Sequence, residues 1–445
     1  MKIKKLISAL VLGSMLVGLS GCNITDFSAE NLLRPPKAVG DEAEIEQLIA
    51  KTADSGYTLK YPKNGKFRSA IIMTDLDGND SNEAVAFFRN SAETSSVHML
   101  VMYSKDKSWK IASDNIFETT DIDSVDFADI TGNGKAEIIV NSTTYTPNVG
   151  KLSCYSYSEG KTNEVGSGQS CSSFVTGDFD NDGTSEIMSL VLYTTENEAL
   201  ASMLDYNEDS KSLYAKAMAN MDPNVVKYKN IAVTKLDNDI TGIVVDGTSA
   251  NEVTNTQVIF YSRDLAILRN PLFKEKAKNI TRRSSQVICS DIDKDGKLEI
   301  PVTLDLPKQS GDSKNIYADK IIWNSFDAPK EALVAKQAVI INYDYMFMMN
   351  YADKWSENKV TAITDLESET TSFYAWNGTK LDTELFKIKV FPISEWESGK
   401  SDDFTLITKD DKYAYTFNNI NPDTQISLSD DEIKTGFSTL DQSGI

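Results

Sequence analysis

The stretch Phe174-Val-Thr-Gly177-Asp178-Phe-Asp180-Asn-Asp182-Gly183-Thr-Ser-Glu186-Ile187 carries the reading of the whole chain. Its Asp residues stand at positions 1, 3 and 5 of a loop, its Gly at 6 and its Glu at 9. Alternate residues of a tight loop turn inward. Asp178, Asp180, Asp182, the backbone carbonyl of Thr184 and Glu186 therefore converge on one point. Calcium takes about six to eight hard oxygens at about 2.3–2.6 Å, in flexible geometry. Gly183 permits the positive φ such a loop needs.

The pattern recurs. Asp291, Asp293, Asp295, the carbonyl of Lys297 and Glu299 repeat it in full. Asp129, Thr131, Asn133, Lys135 and Glu137 repeat it with fewer charges, which predicts weaker binding. Asp75, Asp77, Asn79, Ser81 and Glu83 repeat it with Asp80 at the Gly position, and Asp tolerates the left-handed region. A shortened fifth copy, Leu236–Gly242, keeps Asp237 and Asp239 but has no Glu, and is expected to be empty. An EF-hand would need an acid at position 12 and helices on both sides. Position 12 is Ala86, Val140, Ser189 and Val302, and the flanks read as strands.

The loops start near 75, 129, 178, 235 and 291, and each lies between apolar period-two runs such as 69–74 and 84–88. Two more such runs, 97–103 and 109–113, precede the second loop. Four strands per roughly 50 residues describe a propeller blade. Two later units keep the rhythm but carry Trp355 and Trp396 in place of acids. Their matched positions favour structural wedges over sugar-stacking platforms. Five loop units and two Trp units predict an all-β, seven-bladed β-propeller over residues 57–428. The last unit is one strand short, so the early strand 57–61 is expected to complete it and close the ring.

Gly177-Asp178 through Gly183, followed by Glu186-Ile187, resembles the FG-GAP/VCBS repeat of integrin-type β-propellers. The resemblance implies structural calcium between the first two strands of each blade, with ligands taken on the opposite face. It implies no particular ligand. Such repeats occur in bacterial surface lipoproteins.

The N-terminus agrees with that setting. Lys2, Lys4 and Lys5 precede an apolar run from Leu6 to Leu19, then Leu19-Ser20-Gly21-Cys22. The run is shorter than the roughly 20 residues of a membrane span. Residues 1–21 read as a lipoprotein signal peptide and resemble one ending at a lipidated Cys22, which anchors the chain to the bacterial cell membrane on its extracytoplasmic side. Within 22–56, a polar tether with Pro35-Pro36 leads to a helix over 41–53. Asp41 and Glu44 are expected to form its capping box, and Ile45, Leu48 and Ile49 its apolar face. Residues 429–445 form a tail with a short helix.

The net charge of −21, or −24 without the three N-terminal lysines, argues against nucleic acid as a partner. Cys154, Cys171 and Cys289 are read as buried thiols, with a Cys154–Cys171 bridge as the alternative. The chain has one histidine, His98, inside an apolar run, so triads and His-rich zinc chemistry lack their imidazole. A monomeric binding, adhesion or scaffold module for an unknown protein or glycan is the leading expectation. A carbohydrate-active lyase or hydrolase using paired carboxylates is the alternative. The candidate ligand surfaces are 247–255, 306–315 and 269–283. The last gathers Arg269, Lys274, Lys276, Lys278, Arg282 and Arg283.

Overall fold

The most apolar runs of the repeats become strands buried on both faces. The computed structural model describes residues 40–440, apart from 55, 147, 194–197, 238, 276, 285–286, 313, 357–358 and 400–402. The stretch expected to be a signal peptide, the expected lipidation site Cys22 and the expected tether up to residue 39 lie outside the described residues. The chain is all-β, and its strands form six antiparallel sheets.

Sheet 1 contains β1 (Tyr57–Leu59), β2 (Ile71–Thr74), β3 (Glu83–Asn90), β4 (Val97–Lys105) and β5 (Ser108–Phe117). Sheet 2 is β6 (Ile122–Ala128), β7 (Glu137–Thr143), β8 (Gly150–Ser158) and β9 (Lys161–Cys171). Sheet 3 is β10 (Ser173–Gly177), β11 (Glu186–Tyr193), β12 (Glu198–Asn207) and β13 (Ser212–Asn220). Sheet 4 is β14 (Val225–Asp237), β15 (Ile240–Ser249), β16 (Thr254–Ser262) and β17 (Ile267–Arg269). Sheets 2 to 4, and sheet 1 from β2 onward, are up-and-down meanders in which each strand pairs with the next in the chain.

The last two sheets interlace. Sheet 5 takes β18 (Ile300–Asp305), β20 (Asp319–Asp327), β21 (Ala332–Asn342), β22 (Phe347–Asn350) and the distant β28 (Phe437–Thr439). Sheet 6 takes β19 (Ile316–Tyr317), β23 (Val360–Asp365), β24 (Thr370–Trp376), β25 (Leu381–Pro392), β26 (Thr405–Lys409) and β27 (Tyr413–Asn419).

Seven blades were expected, and among the described residues there are six sheets. The two Trp units are not two blades: Phe347–Asn350 pairs into sheet 5, while the strands on both sides of Trp396 belong to sheet 6. The strand expected to close the ring also lies elsewhere. Tyr57–Leu59 pairs with Phe88–Asn90 on the same edge of β3 that β2 occupies, so it lengthens sheet 1.

Hydrophobic clusters join each sheet to the next. Val85, Phe87, Met99 and Val101 of sheet 1 meet Val125, Ile138 and Val140 of sheet 2. Sheets 2 and 3 meet around Leu152, Ile187 and Leu204, sheets 3 and 4 around Leu190, Met203 and Ile243. Sheets 4 and 5 share Val244, Phe260 and Phe326, and sheets 5 and 6 share Ile340, Phe347, Trp355, Phe373 and Phe386. The other face of sheet 1 is covered by helix α1 (Asp41–Ala53). Ile45, Ile49 and Ala53 pack there on Ala84, Ala86, Phe88 and Leu100.

The expected apolar face of α1 is thus the buried one, but its cap differs. Gly40 precedes it with no side-chain cap, and its carbonyl accepts from the Ala43 and Glu44 amides. Glu44 instead accepts from the Trp109 amide of sheet 1 at 3.1 Å, so tertiary contact takes the carboxylate that the capping box would have used. A short helix α2 (Ile393–Glu397) carries Trp396 against Phe391. Helix α3 (Asp430–Gly436) has the full Ser429/Glu432 capping box. Trp355 is fully buried, stacks near Phe373 and Phe386, and donates to the Ile426 carbonyl, as a wedge should. Trp396 remains partly exposed and is no such wedge.

Cys154, Cys171 and Cys289 are free and buried. Burial pushes the Cys171 thiol up to about 12 and raises those of Cys154 and Cys289 well above their ordinary range, so none is a nucleophile at neutral pH. His98 lies in β4, stacked on Phe88, with Nδ1 2.9 Å from Asp114.

Candidate metal centres

Four acidic loops connect a first strand, or its remnant, to a second strand. In each, the residue at position 2 is apolar and faces the core: Leu76, Ile130 and Phe179 are buried, and Ile292 packs on its cluster. That anchor fixes the loop's entry. Positions 4 and 6 both adopt positive φ: Gly78 and Asp80, Gly132 and Gly134, Asn181 and Gly183, Lys294 and Gly296. Asp80 does occupy the left-handed region at φ 65°, as its side chain allows. The sequence signalled position 6. Position 4 was hidden because Asn181 and Lys294 fill it in two loops.

The carboxylates are aimed by backbone amides. The position-1 Asp accepts from the amides of positions 5 and 6: Asn79 and Asp80 to Asp75, Asn133 and Gly134 to Asp129, Asp182 and Gly183 to Asp178, Asp295 and Gly296 to Asp291. The position-5 side chain accepts from the amide of position 7 at 2.8 Å in all four loops. The position-9 Glu accepts from the amide of position 2 at 2.8–3.1 Å. Burial would raise the Asp75 carboxyl, but the amides of residues 77–80 outweigh it and hold it below the ordinary range.

Neighbouring loops also touch. The Ala136 amide donates to the Leu76 carbonyl at 3.2 Å, and the Ser185 amide to the Asp129 carbonyl at 2.9 Å. The first three loops therefore line one end of sheets 1 to 3 side by side.

Three loops bring acidic oxygens within 4.8 Å of one another: Asp178, Asp180, Asp182 and Glu186; Asp75, Asp77 and Glu83; Asp291, Asp293 and Asp295. In the second loop Thr131 and Asn133 stand in the acidic places, and the Thr131 hydroxyl donates to Glu137 at 3.1 Å. The Leu236–Gly242 copy forms no loop. Asp237 pairs with Ile240 where β14 turns into β15, so the first strand runs to Asp237 and no nine-residue loop follows it.

The donor set fits a hard cation. Glu186 is fully buried, yet its Oε1 has no hydrogen-bond partner and lies among the loop's Asp oxygens. A buried, unpaired carboxylate oxygen is costly unless a cation completes it. Burial first, then the charges of Asp180, Asp182 and Asp205, push the Glu186 carboxyl up to about 8. Burial likewise raises Glu83 and Glu137. One oxygen of Asp77 is also buried without a partner.

Two lysines that the sequence reading missed enter these loops. Lys336 of β21 donates to Asp293 at 2.6 Å, Glu299 at 3.0 Å and Asp295 at 3.1 Å. Those carboxylates hold the ammonium above its ordinary range, Asp293 first. Lys216 of β13 donates to Asp180 and, at 2.8 Å, to Asp205. Each comes from 36 to 43 residues downstream of the loop acids it meets, beyond the reach of a local motif.

The expected ligand patch separates. Arg283 is fully buried and donates to Asp246 at 2.7 Å, Thr256 at 3.0 Å and the Val287 carbonyl at 2.7 Å. It is a core residue, because Asp246 is buried on β15 and must be paired. Arg269 is held bidentately by Glu331, both bonds at 2.7 Å. Lys274, Lys278 and Arg282 are exposed, and Lys276 lies outside the described residues.

A cavity of about 830 Å³ opens between sheets 2 to 4 and the segment 63–65 that follows β1. Its lining includes Asn64, Asp123, Asn141, Thr143, Ser173, Tyr228 and Lys229. Asp123 and Ser173 begin their first strands, and Asn141 and Thr143 end their second strand. The acidic loops lie at the other ends of these same strands. A second cavity, of about 620 Å³, is bordered by Arg269, Lys274 and Glu331. None of the three expected ligand stretches contributes to the 830 Å³ cavity.

No family model matches the chain, and no curated protein matches it. Among solved structures, the crystal structure of a protein from Lactobacillus plantarum aligns with 69% of this chain and 82% of its own, at 9% identity and a TM-score of 0.29.

Proposed function

We propose that this protein is a lipid-anchored, extracytoplasmic binding or scaffold module, a propeller-type stack of sheets stabilised by calcium at one end and open to a ligand at the other. The observation that carries the reading is the loop geometry. The same amide-aimed carboxylates recur at the same strand junction of successive sheets, with Glu186 Oε1 buried and unpaired at the fullest of the first three. Calcium there would neutralise the clustered acids and tie each first strand to its second. Asp178, Asp180, Asp182, Glu186 and the Thr184 carbonyl would hold it in sheet 3. Asp75, Asp77, Asn79, Glu83 and the Ser81 carbonyl would do so in sheet 1. Asp129, Asn133 and Glu137 would form the weaker site.

Recognition is assigned to the 830 Å³ cavity at the opposite strand ends. Its amide, hydroxyl and ammonium groups, set among apolar side chains such as Phe174, Val175 and Leu192, suit a hydroxyl-rich ligand such as a glycan.

The test is thermal. Chelation should lower the melting temperature and added calcium should restore it, since a site occupied at a hundred times its Kd adds about 2.7 kcal/mol. Melting that stays unchanged across the titration would rule out structural calcium. In the same preparation, Asn141→Ala should weaken glycan binding without changing the calcium response.

A further inference from the structure

One hairpin in each of four sheets, β4–β5, β8–β9, β12–β13 and β20–β21, shares an irregularity. Counting back from the turn, the fourth cross-strand pairs are Met102–Ile111, Tyr155–Glu164, Leu204–Ala215 and Asn324–Ala335. Directly after each, the register slips by one residue. The inserted bulge residues are Ala112, Val165, Lys216 and Lys336. A bulge re-aims one side chain relative to its strand. The two loops with neutral residues at position 5 face a hairpin whose bulge residue is apolar. The two loops with Asp at positions 1, 3 and 5 face a lysine.

We propose that Lys216 and Lys336 are built-in cations of their acidic loops, and that Lys336 takes the metal's place in the loop 291–299. This inference rests on the calcium reading for the other loops and reverses the ranking that the motif alone predicts. An ammonium offers three donors and no acceptor. All three of Lys336 are engaged by three different carboxylates of one loop, at 2.6, 3.0 and 3.1 Å. Those oxygens are the ones a divalent ion would need, and two cations cannot share so small a cage.

Lys216 is placed differently. It reaches only Asp180 in its loop, and its second bond goes to Asp205 on β12, outside the loop. Glu186 Oε1 remains without a partner. Asp205 gives this ammonium a resting place when a metal takes Asp180. The corresponding residue beside Lys336 is Ser325, which offers no carboxylate. The loop 178–186 therefore binds metal with Lys216 moved aside, and the loop 291–299 is closed by its own lysine.

The test is calcium stoichiometry by calorimetry and by equilibrium dialysis, using the full chain. In the wild-type protein, Asp180→Asn should lose one calcium and Asp293→Asn should lose none. Lys336→Met should gain one calcium, and adding Asp293→Asn to that variant should remove it again. The melting temperature of Lys336→Met should fall below wild type in chelator and recover with calcium. Loss of a calcium on Asp293→Asn in the wild-type background would overturn the proposal, as would a Lys336→Met chain that binds no more than wild type. Should Lys336→Met fail to fold, the wild-type and Asp293→Asn comparison decides alone. A wild-type chain that binds no calcium beside a Lys336→Met chain that binds one would sustain the role of Lys336 and refute the calcium reading of the other loops.

Discussion

At the scale of the residue, burial decides what a charge does. Arg282 and Arg283 are neighbours in a basic stretch, yet one is exposed and the other fully buried. Arg283 is surrounded by acceptors, and the Cys289 amide also donates to Asp246 at 2.8 Å, so the network is closed. Removing one partner of a buried pair strands the other charge, at a cost of about 3–5 kcal/mol. Arg283→Ala should lose stability on that order in chemical denaturation, whereas Arg282→Ala should stay within about 0.5 kcal/mol. Equal effects from the two would return Arg283 to the surface role its sequence context suggested. Lys216 and Lys336 make the same point with the opposite outcome: ordinary strand residues by sequence, they reach acidic loops only because a bulge turns them there.

At the scale of the element, helix α1 is the cover of sheet 1. Its Ile45 and Ile49 are essentially inaccessible, and they shield Ala84, Ala86 and Phe88, which would otherwise face water. Helical stability of this kind comes from the packed face more than from propensity. Ile49→Ala should cost about 2–5 kcal/mol, read as a lowered denaturation midpoint, with the partly buried Leu48→Ala costing less. An Ile49→Ala chain as stable as wild type would mean the helix is not needed where it lies. Strands β19 and β28 show a second kind of element, one whose own sequence is too short to announce it. Each is two or three residues long and pairs with a sheet far from its place in the chain.

At the scale of the whole molecule, successive sheets share cores, so acids at three strand junctions act on one stability. Burial raises Glu83 and Glu137 above their ordinary values, and Glu186 to about 8. A carboxyl whose folded value lies above its unfolded one, near 4.3 for Glu, keeps its proton in the folded state. The metal-free fold therefore holds its full contribution below the unfolded value and loses it as pH rises towards about 8. Metal needs the ionised carboxylate, so calcium binding strengthens over the same window. The gap between melting temperatures with calcium and with chelator should widen from about pH 5 to about pH 8. A constant gap across that range would refute the coupling.

The sequence by itself determined the β class, the acidic loops, the αL position at Gly183 and the apolar face of α1, because each depends on residues within one turn or one strand. The strand rhythm was legible for the same reason: period-two burial is written residue by residue. Blade count and closure were not. They depend on which edge a strand meets, and Tyr57–Leu59, Phe347–Asn350 and Phe437–Thr439 found edges that no local pattern names. The tertiary structure alone decided that Arg283 is core and that Trp355, not Trp396, is a wedge. It alone placed Lys336 among the acids of the best-matching loop. In each case the deciding contact joins residues distant in the chain, and burial there makes an unpaired charge or an unfilled gap too costly to leave.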